Sequence, residues 1–189
     1  INLGEAVRAG RRVAIVGGGN VAFDAARTSL RLGAEEVTVV YRRSREDMPA
    51  AAEEIHEAEE EGIRVLPMTN PLRITGTGGR VSSLVCLKTE PGEYDAGGRR
   101  KPKPIPGSEF TLEVDTVIAA IGQVPDTGFI SGAPGLATHR NGTVVVEAGT
   151  LATGRAGIFA AGDNVTGPAT VVEAMASGEQ AAISIDRYI

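Results

Sequence analysis

The chain has 189 residues, 42% of them hydrophobic, with a formal net charge of −5 and arginine outnumbering lysine sixteen to three. That length supports one domain or one and a half with a real core, and the lack of a long basic run argues against a nucleic-acid partner. No apolar stretch approaches the roughly 18 residues of a membrane span, and a single cysteine, Cys86, excludes an intrachain disulfide or a Cys-x-x-Cys redox pair and fits a reducing, cytoplasmic setting.

Residues 13–22 read VAIVGGGNVA, an apolar run of strand type, a glycine triplet and the start of a helical pattern. This is the order that binds a dinucleotide pyrophosphate. Gly17 lets the chain turn sharply out of the strand, and Gly19 removes a side chain where backbone must approach phosphate oxygens. Ala22 is small enough for close packing of helix on sheet. The free amides of Asn20 and Val21, at the positive end of the helix, would face the phosphates together with Gly18. The helix predicted for residues 20–32 stops at Gly33. Asp24, one turn in, either pins a neighbouring loop or is an ordinary acid near the helix start.

A second strand follows over residues 37–41 and ends in Tyr41, Arg42, Arg43, Ser44 and Arg45. A site for NAD would place an acid about 20 residues beyond the glycines to hold the ribose 2′-hydroxyl. Glu35 and Glu36 are near that spacing but fall before the strand, at its wrong end. Guanidinium groups at the correct end can bind a 2′-phosphate through paired, charge-assisted hydrogen bonds. The reading is therefore NADP(H). Residues 50–61, AAAEEIHEAEEE, predict an acidic, mostly exposed helix ended by Gly62, and IRVLPM a further strand.

Residues 71–114 change character, with short β segments separated by turn residues, and predict an antiparallel meander inserted into a doubly wound parallel sheet. Within it the GGRRKPKP run, residues 97–104, reads as a mobile hairpin tip, and Cys86 as an inert, half-buried thiol. Residues 114–122, VDTVIAAIG, return the chain to a buried parallel strand. Its end, Ala120, Ile121 and Gly122, should border the nicotinamide ribose; Gln123 is equally well a ligand contact or a plain turn residue. His56 and His139 lack metal-ligand spacing. Near the C-terminus, GIFAAGD predicts a strand ending in Gly162 and Asp163, followed by a helix over residues 170–188. An acid past a strand end can accept hydrogen bonds from sugar hydroxyls, and the helix start can stabilise negative charge on a flavin.

Three stretches, GGGNVAFDAARTSLRLGAEEVTVVYRRSREDMPA, IPGSEF with DTVIAAIGQ, and FAAGDNVTGPATVVEAMASGEQAA, together resemble the NADPH-dependent flavoproteins exemplified by the glutamate synthase small subunit. Similar modules occur in dihydropyrimidine dehydrogenase and in the large subunit of NADH-dependent ferredoxin:NADP oxidoreductase. The resemblance implies a two-dinucleotide-domain α/β fold in which an FAD domain is interrupted by an NADPH domain. It also implies hydride transfer from NADPH to FAD and onward to iron–sulfur clusters. Carried over, Gly17 to Val21 would bind the pyrophosphate, Arg42 and Arg43 the 2′-phosphate, and Ala120 to Gly122 the nicotinamide side. Gly162, Asp163, Thr170, Val171 and Val172 would touch FAD.

On this reading residues 1–126 form an NADP(H)-binding Rossmann-like domain and residues 127–189 the C-terminal segment of an FAD domain. The family's first FAD fingerprint and its cysteine-rich cluster region lie upstream and have no counterpart in these residues. The chain thus reads as a piece of a longer protein whose partner is that missing FAD and iron–sulfur region or a separate redox subunit. The segment from about residue 127 is then expected either to pack loosely or to bury its open face in a homodimer. The alternative is a non-catalytic NADP(H)-binding or docking module. Hydride transfer needs positioning more than a protein acid or base, so no catalytic dyad is assigned.

Overall fold

The computed structural model describes residues 7, 9–95 and 97–189. It divides into two compact units between Ile121 and Gly122. The first is built on a four-stranded parallel sheet in the order β3-β2-β1-β8. Central β1 (Arg12–Val16) pairs with β2 (Glu36–Val40) on one side and β8 (Thr116–Ala119) on the other, and β3 (Arg64–Leu66) extends the sheet beyond β2.

Side chains alternate between the two faces, as the strand repeat requires. Val13, Ile15, Val37, Val39 and Ile118 join one core with helices α1 (Asn20–Arg31) and α2 (Ala52–Glu60). Ala22, Phe23 and Ala26 of α1 are fully buried there; the alanines allow close approach, and burying the Phe23 ring contributes about 2–3 kcal/mol. From α2, Ile55 and Ala58 are buried while its glutamates look outward.

Ala14, Val16, Val40 and Val117 point the other way and meet an antiparallel sheet of β4 (Thr69–Thr77), β5 (Arg80–Tyr94), β6 (Arg100–Pro104) and β7 (Phe110–Glu113). Leu84 and Cys86 of β5 complete this second core. Helices thus cover one face of the parallel sheet, and the inserted meander takes the place of a second helical layer.

Three expectations change in this unit. Residues 97–104 are not a loose tip: β6 pairs with the outer half of β5, and of the described residues between the two strands only Asp95 and residues 97–99 lie outside them. Lys103 lies directly opposite Glu90 and pairs with it at 2.7 Å, and the Arg100 guanidinium stacks on Tyr94. Cross-strand pairs of this kind hold a ribbon in register, and an edge strand tolerates Pro102 and Pro104. Cys86 is fully buried rather than half-buried, and its thiol is pushed up to about 11 by desolvation. Strand β8 is half-buried rather than buried, because it forms the sheet edge and pairs, among the described residues, with β1 alone.

In the second unit the strand predicted to end at Asp163 is reduced to an isolated bridge between Ala152 and Phe159. Leu151 at φ 60°, Gly157 at φ 77° and Gly162 at φ 65° interrupt extended backbone there. Asp163 instead opens the four-residue helix α3 (Asp163–Thr166), which precedes α4 (Val171–Tyr188). Of this unit's apolar side chains only Val144 and Ala181 are buried, while Val124, Phe129, Val171, Val172 and Met175 are exposed. No helix among the described residues is long and apolar enough to cross a membrane.

Candidate dinucleotide-binding site

The glycine turn, the arginine loop and the end of β8 come together at the carboxyl edge of the parallel sheet, where open α/β sheets hold their ligands. The three glycines serve different ends. Gly17, at φ 150°, hydrogen-bonds through its amide to the Val40 carbonyl, and a Cβ there would lie 2.2 Å from the Ala120 carbonyl oxygen. A Cβ on Gly18 would meet the Tyr41 ring at 2.5 Å. Both positions are glycine because the protein's own backbone and ring fill the space.

Gly19 is different. A Cβ there would find only Pro49, at 3.8 Å, and the backbone is in an ordinary extended region. Nothing in the packing of the described residues requires glycine at this position, so the open space ahead of α1 fits a ligand that approaches closely. Gly19 is also the helix N-cap and makes no side-chain cap bond, which leaves first-turn amides of α1 available to phosphate oxygens. The pyrophosphate therefore fits these residues.

Asn20 and Val21 begin α1 at this edge. The Asn20 Oδ1 accepts a hydrogen bond from the Ala51 amide at 3.0 Å, and the Gly18 carbonyl accepts one from Ala50 at 3.1 Å. The glycine turn is thereby tied to the start of α2. Val21 is exposed, as is Asp24, which fits the plainer of its two readings, an ordinary acid near the helix start.

The arginines at the end of β2 have three separate fates. Arg42 is exposed and belongs to no ion pair among the described residues. Arg43 is 7% exposed, donates to Asp95 at 2.7 Å, and keeps a buried Nε without a partner. Arg45 makes a two-pronged pair with Glu59 on α2, which lowers the Glu59 carboxyl. Arg42 is thus the arginine exposed at this strand end, whereas the Arg43 guanidinium is buried against Asp95 and carries an unsatisfied donor. Glu35 pairs with Arg11 at the opposite end of β2, and Glu36 is its first residue.

At the end of β8, Ala120 donates to the Val16 carbonyl at 2.8 Å and presents its own carbonyl to the glycine turn. Ile121 is exposed. Gly122, at φ 97°, starts the second unit, and Gln123 follows it, also exposed.

Within the second unit, Gly162 caps α3 with its carbonyl accepting from Val165 and its amide donating to Ser177. Asp163 is exposed. Thr170 caps α4 in a reciprocal box: the Glu173 amide donates to its hydroxyl at 3.3 Å, and the Glu173 carboxylate accepts from the Thr170 amide at 2.9 Å. The Thr170 hydroxyl also donates to that carboxylate at 2.7 Å, and this bond first, with the one from the Thr170 amide, holds the Glu173 carboxyl below its ordinary range; Val171 and Val172 stand exposed beside it. A free carboxylate and the first amides of α4 fit one edge of a flavin nucleotide. A second strand, glycine turn and helix, which would bind its pyrophosphate, is not found in this sequence.

Sequence reasoning missed the residues that hold the arginine loop. The carbonyls of Tyr41, Arg42 and Arg43 accept from the Thr69 amide, the Thr89 hydroxyl and the Met68 amide, and Met68 adopts φ 51° to do so. Their partners lie 25 to 47 residues away with no repeated spacing, so only the fold reveals them.

The sequence profile of the pyridine nucleotide-disulphide oxidoreductases matches residues 2–178. The NADP(+)-dependent formate dehydrogenase subunit beta of Moorella thermoacetica is 48% identical over 95% of the chain. The glutamate synthase [NADPH] small chain of Azospirillum brasilense is 40% identical, also over 95%. The chain spans 25% and 37% of the lengths of these two relatives. Among solved structures, T. acidophilum thioredoxin reductase superposes with a TM-score of 0.74 at 24% identity, over 94% of this chain and 52% of that one.

Proposed function

Because the chain belongs to the pyridine nucleotide-disulphide oxidoreductases, we propose that its first unit binds NADP(H) and that the chain forms the electron-entry part of a flavoprotein. On this reading residues 1–126 are the NADP(H) domain and residues 127–189 contribute to an FAD domain. When bound, NADPH would supply a hydride from nicotinamide C4 and FAD would accept it at N5. The chain's own residues bind and orient. Gly17 to Val21 present amides to the pyrophosphate, Arg42 and Arg43 hold the 2′-phosphate, and Ala120 to Gly122 border the nicotinamide ribose. Gly162, Asp163 and Thr170 to Val172 line one edge of the flavin. Iron–sulfur clusters or a partner subunit would receive the electrons; that the formate dehydrogenase and glutamate synthase relatives are named as a subunit beta and a small chain supports a partner subunit.

The observation that carries this reading is the pairing of Gly19, whose missing side chain no neighbour explains, with exposed Arg42 at the end of the adjacent strand. A second reading, an NADP(H)-binding module without chemistry of its own, is favoured by the single fingerprint and by the exposed apolar side chains of the second unit. A second copy of the chain, or the flavin and iron–sulfur region, would cover those side chains. Titration of the purified protein with NADPH, NADH and FAD separates the two readings. A yellow protein that oxidises NADPH supports the first, and a colourless one with tight NADP+ binding the second. Equal affinity for NADP+ and NAD+ refutes the NADP(H) assignment common to both.

A further inference from the structure

We propose that Asp95 and Thr89 are positioning residues for cofactor choice: the antiparallel insertion holds the Arg42 and Arg43 loop in the geometry that selects a 2′-phosphate. This rests on the NADP(H) reading of the same loop.

Strand β2 ends at Val40. Of the three residues after it, Tyr41 still donates through its amide to the Leu66 carbonyl of β3 at 3.0 Å, while the carbonyls of all three are held from the side of the insertion. The Tyr41 carbonyl accepts from the Thr69 amide at 2.9 Å, the Arg42 carbonyl from the Thr89 hydroxyl at 2.8 Å, and the Arg43 carbonyl from the Met68 amide at 2.8 Å. Thr69 and Thr89 are themselves buried, so these bonds are shielded from competing water. The side chain of Arg43 is held from the same sheet, by Asp95 at the start of the β5–β6 turn.

Asp95 divides its two oxygens between two tasks. Oδ1 accepts from the amides of Gly97 and Arg99 and so builds the turn. Oδ2 accepts from Nη2 of Arg43. Those bonds, the one from the Arg99 amide foremost, keep the carboxyl below the ordinary aspartate range, so it is an anion at neutral pH. A planar guanidinium gripped at one nitrogen has few remaining orientations, and its Nε stays buried and unpartnered. Freezing a long side chain and its loop beforehand removes an ordering cost from ligand binding.

Asp95→Asn separates the two tasks, because the amide oxygen can still build the turn while the anion facing Arg43 is gone. Isothermal titration of the full chain with NADP+ and with NAD+ should show NADP+ weakened roughly tenfold and NAD+ changed less than about twofold. Thr89→Val, nearly isosteric, should weaken NADP+ roughly threefold with the same selectivity. Arg42→Ala is the reference and should lose NADP+ selectively. If Arg42→Ala is selective and Asp95→Asn is not, the positioning role is overturned and the NADP(H) reading stands. Equal loss of both cofactors in Asp95→Asn would show a merely structural turn, and tighter NADP+ would show a competing anion; either overturns the inference. If Arg42→Ala loses both cofactors alike, the cofactor reading fails and this inference fails with it.

Discussion

Alanine at Gly19 and alanine at Gly17 should have opposite consequences, and the contrast tests the assignment of the glycine turn. At Gly19 the new methyl meets only Pro49 at ordinary contact distance, and the backbone is one that any residue adopts. Alanine is a poorer N-cap than glycine by several tenths of a kcal/mol, but it also restricts the unfolded chain by about 0.4–1 kcal/mol. These effects oppose each other, so stability should change by less than about 1 kcal/mol, a melting shift of no more than roughly 4 °C. Binding should suffer, because the methyl projects into the space ahead of the α1 amides. Each charge-assisted hydrogen bond lost costs about 1.5–3 kcal/mol, which is one to two decades in Kd for NADP+ at roughly 1.4 kcal/mol per decade. At Gly17 the methyl would lie 2.2 Å from a backbone oxygen at φ 150°, so overpacking and strain together should cost more than about 2 kcal/mol. Thermal melts and calorimetric titration of both variants read these quantities. A folded Gly19→Ala protein that binds NADP+ as tightly as the parent would refute the reasoning.

Three further outcomes follow from burial and capping. Cys86, buried with its thiol raised to about 11, should resist a maleimide or disulfide reagent in the native protein and react readily only in denaturant; comparable rates in the two states would contradict its burial. Thr170→Ala should cost about 1 kcal/mol through loss of the α4 cap. Because the Glu173 carboxyl is depressed on folding, first by the Thr170 hydroxyl, its contribution is complete above the ordinary glutamate range near 4.3 and disappears as pH falls through the lower folded value. Helical circular dichroism followed from pH 6 to pH 2 should show a shallower acid transition for Glu173→Gln than for the parent, and identical curves would rule the capping box out.

The sequence carried the parallel sheet and its glycine turn because both obey short-range rules: a continuous apolar run over 13–16, a glycine where φ turns positive, and alanines where a helix meets a sheet. Arg42 and Arg43 were legible for the same reason, since they end a strand whose partner is the strand before the turn. What each arginine does was not legible. Arg43 and Arg45 are bound by Asp95 and Glu59, and those pairings depend on where a hairpin and a helix come to rest. The C-terminal strand failed for a different reason. GIFAAGD has the composition of a strand, but two glycines at positive φ and the lack of a pairing partner within the described residues leave one isolated bridge. Composition alone reports apolar character, while a strand needs a neighbour to satisfy its backbone.

The antiparallel insertion solves a packing problem, and the same solution reaches the candidate site. A parallel sheet must cover both faces, and with α1 and α2 on one face, Leu84 and Cys86 of β5 cover the other. Strand β5 is 15 residues long, about twice what that core requires, and its outer half runs on past Thr89 to the turn at Asp95. The inner half is anchored by burial and the outer half by β6, so the strand acts as a stiff arm from the core to the loop after β2. Residues that contact no phosphate can in this way decide how tightly one is held, because the loop keeps its shape before any ligand arrives. The bond from the Thr89 hydroxyl to the Arg42 carbonyl and the bond from the Arg43 side chain to the Asp95 carboxylate are the two points at which the arm grips.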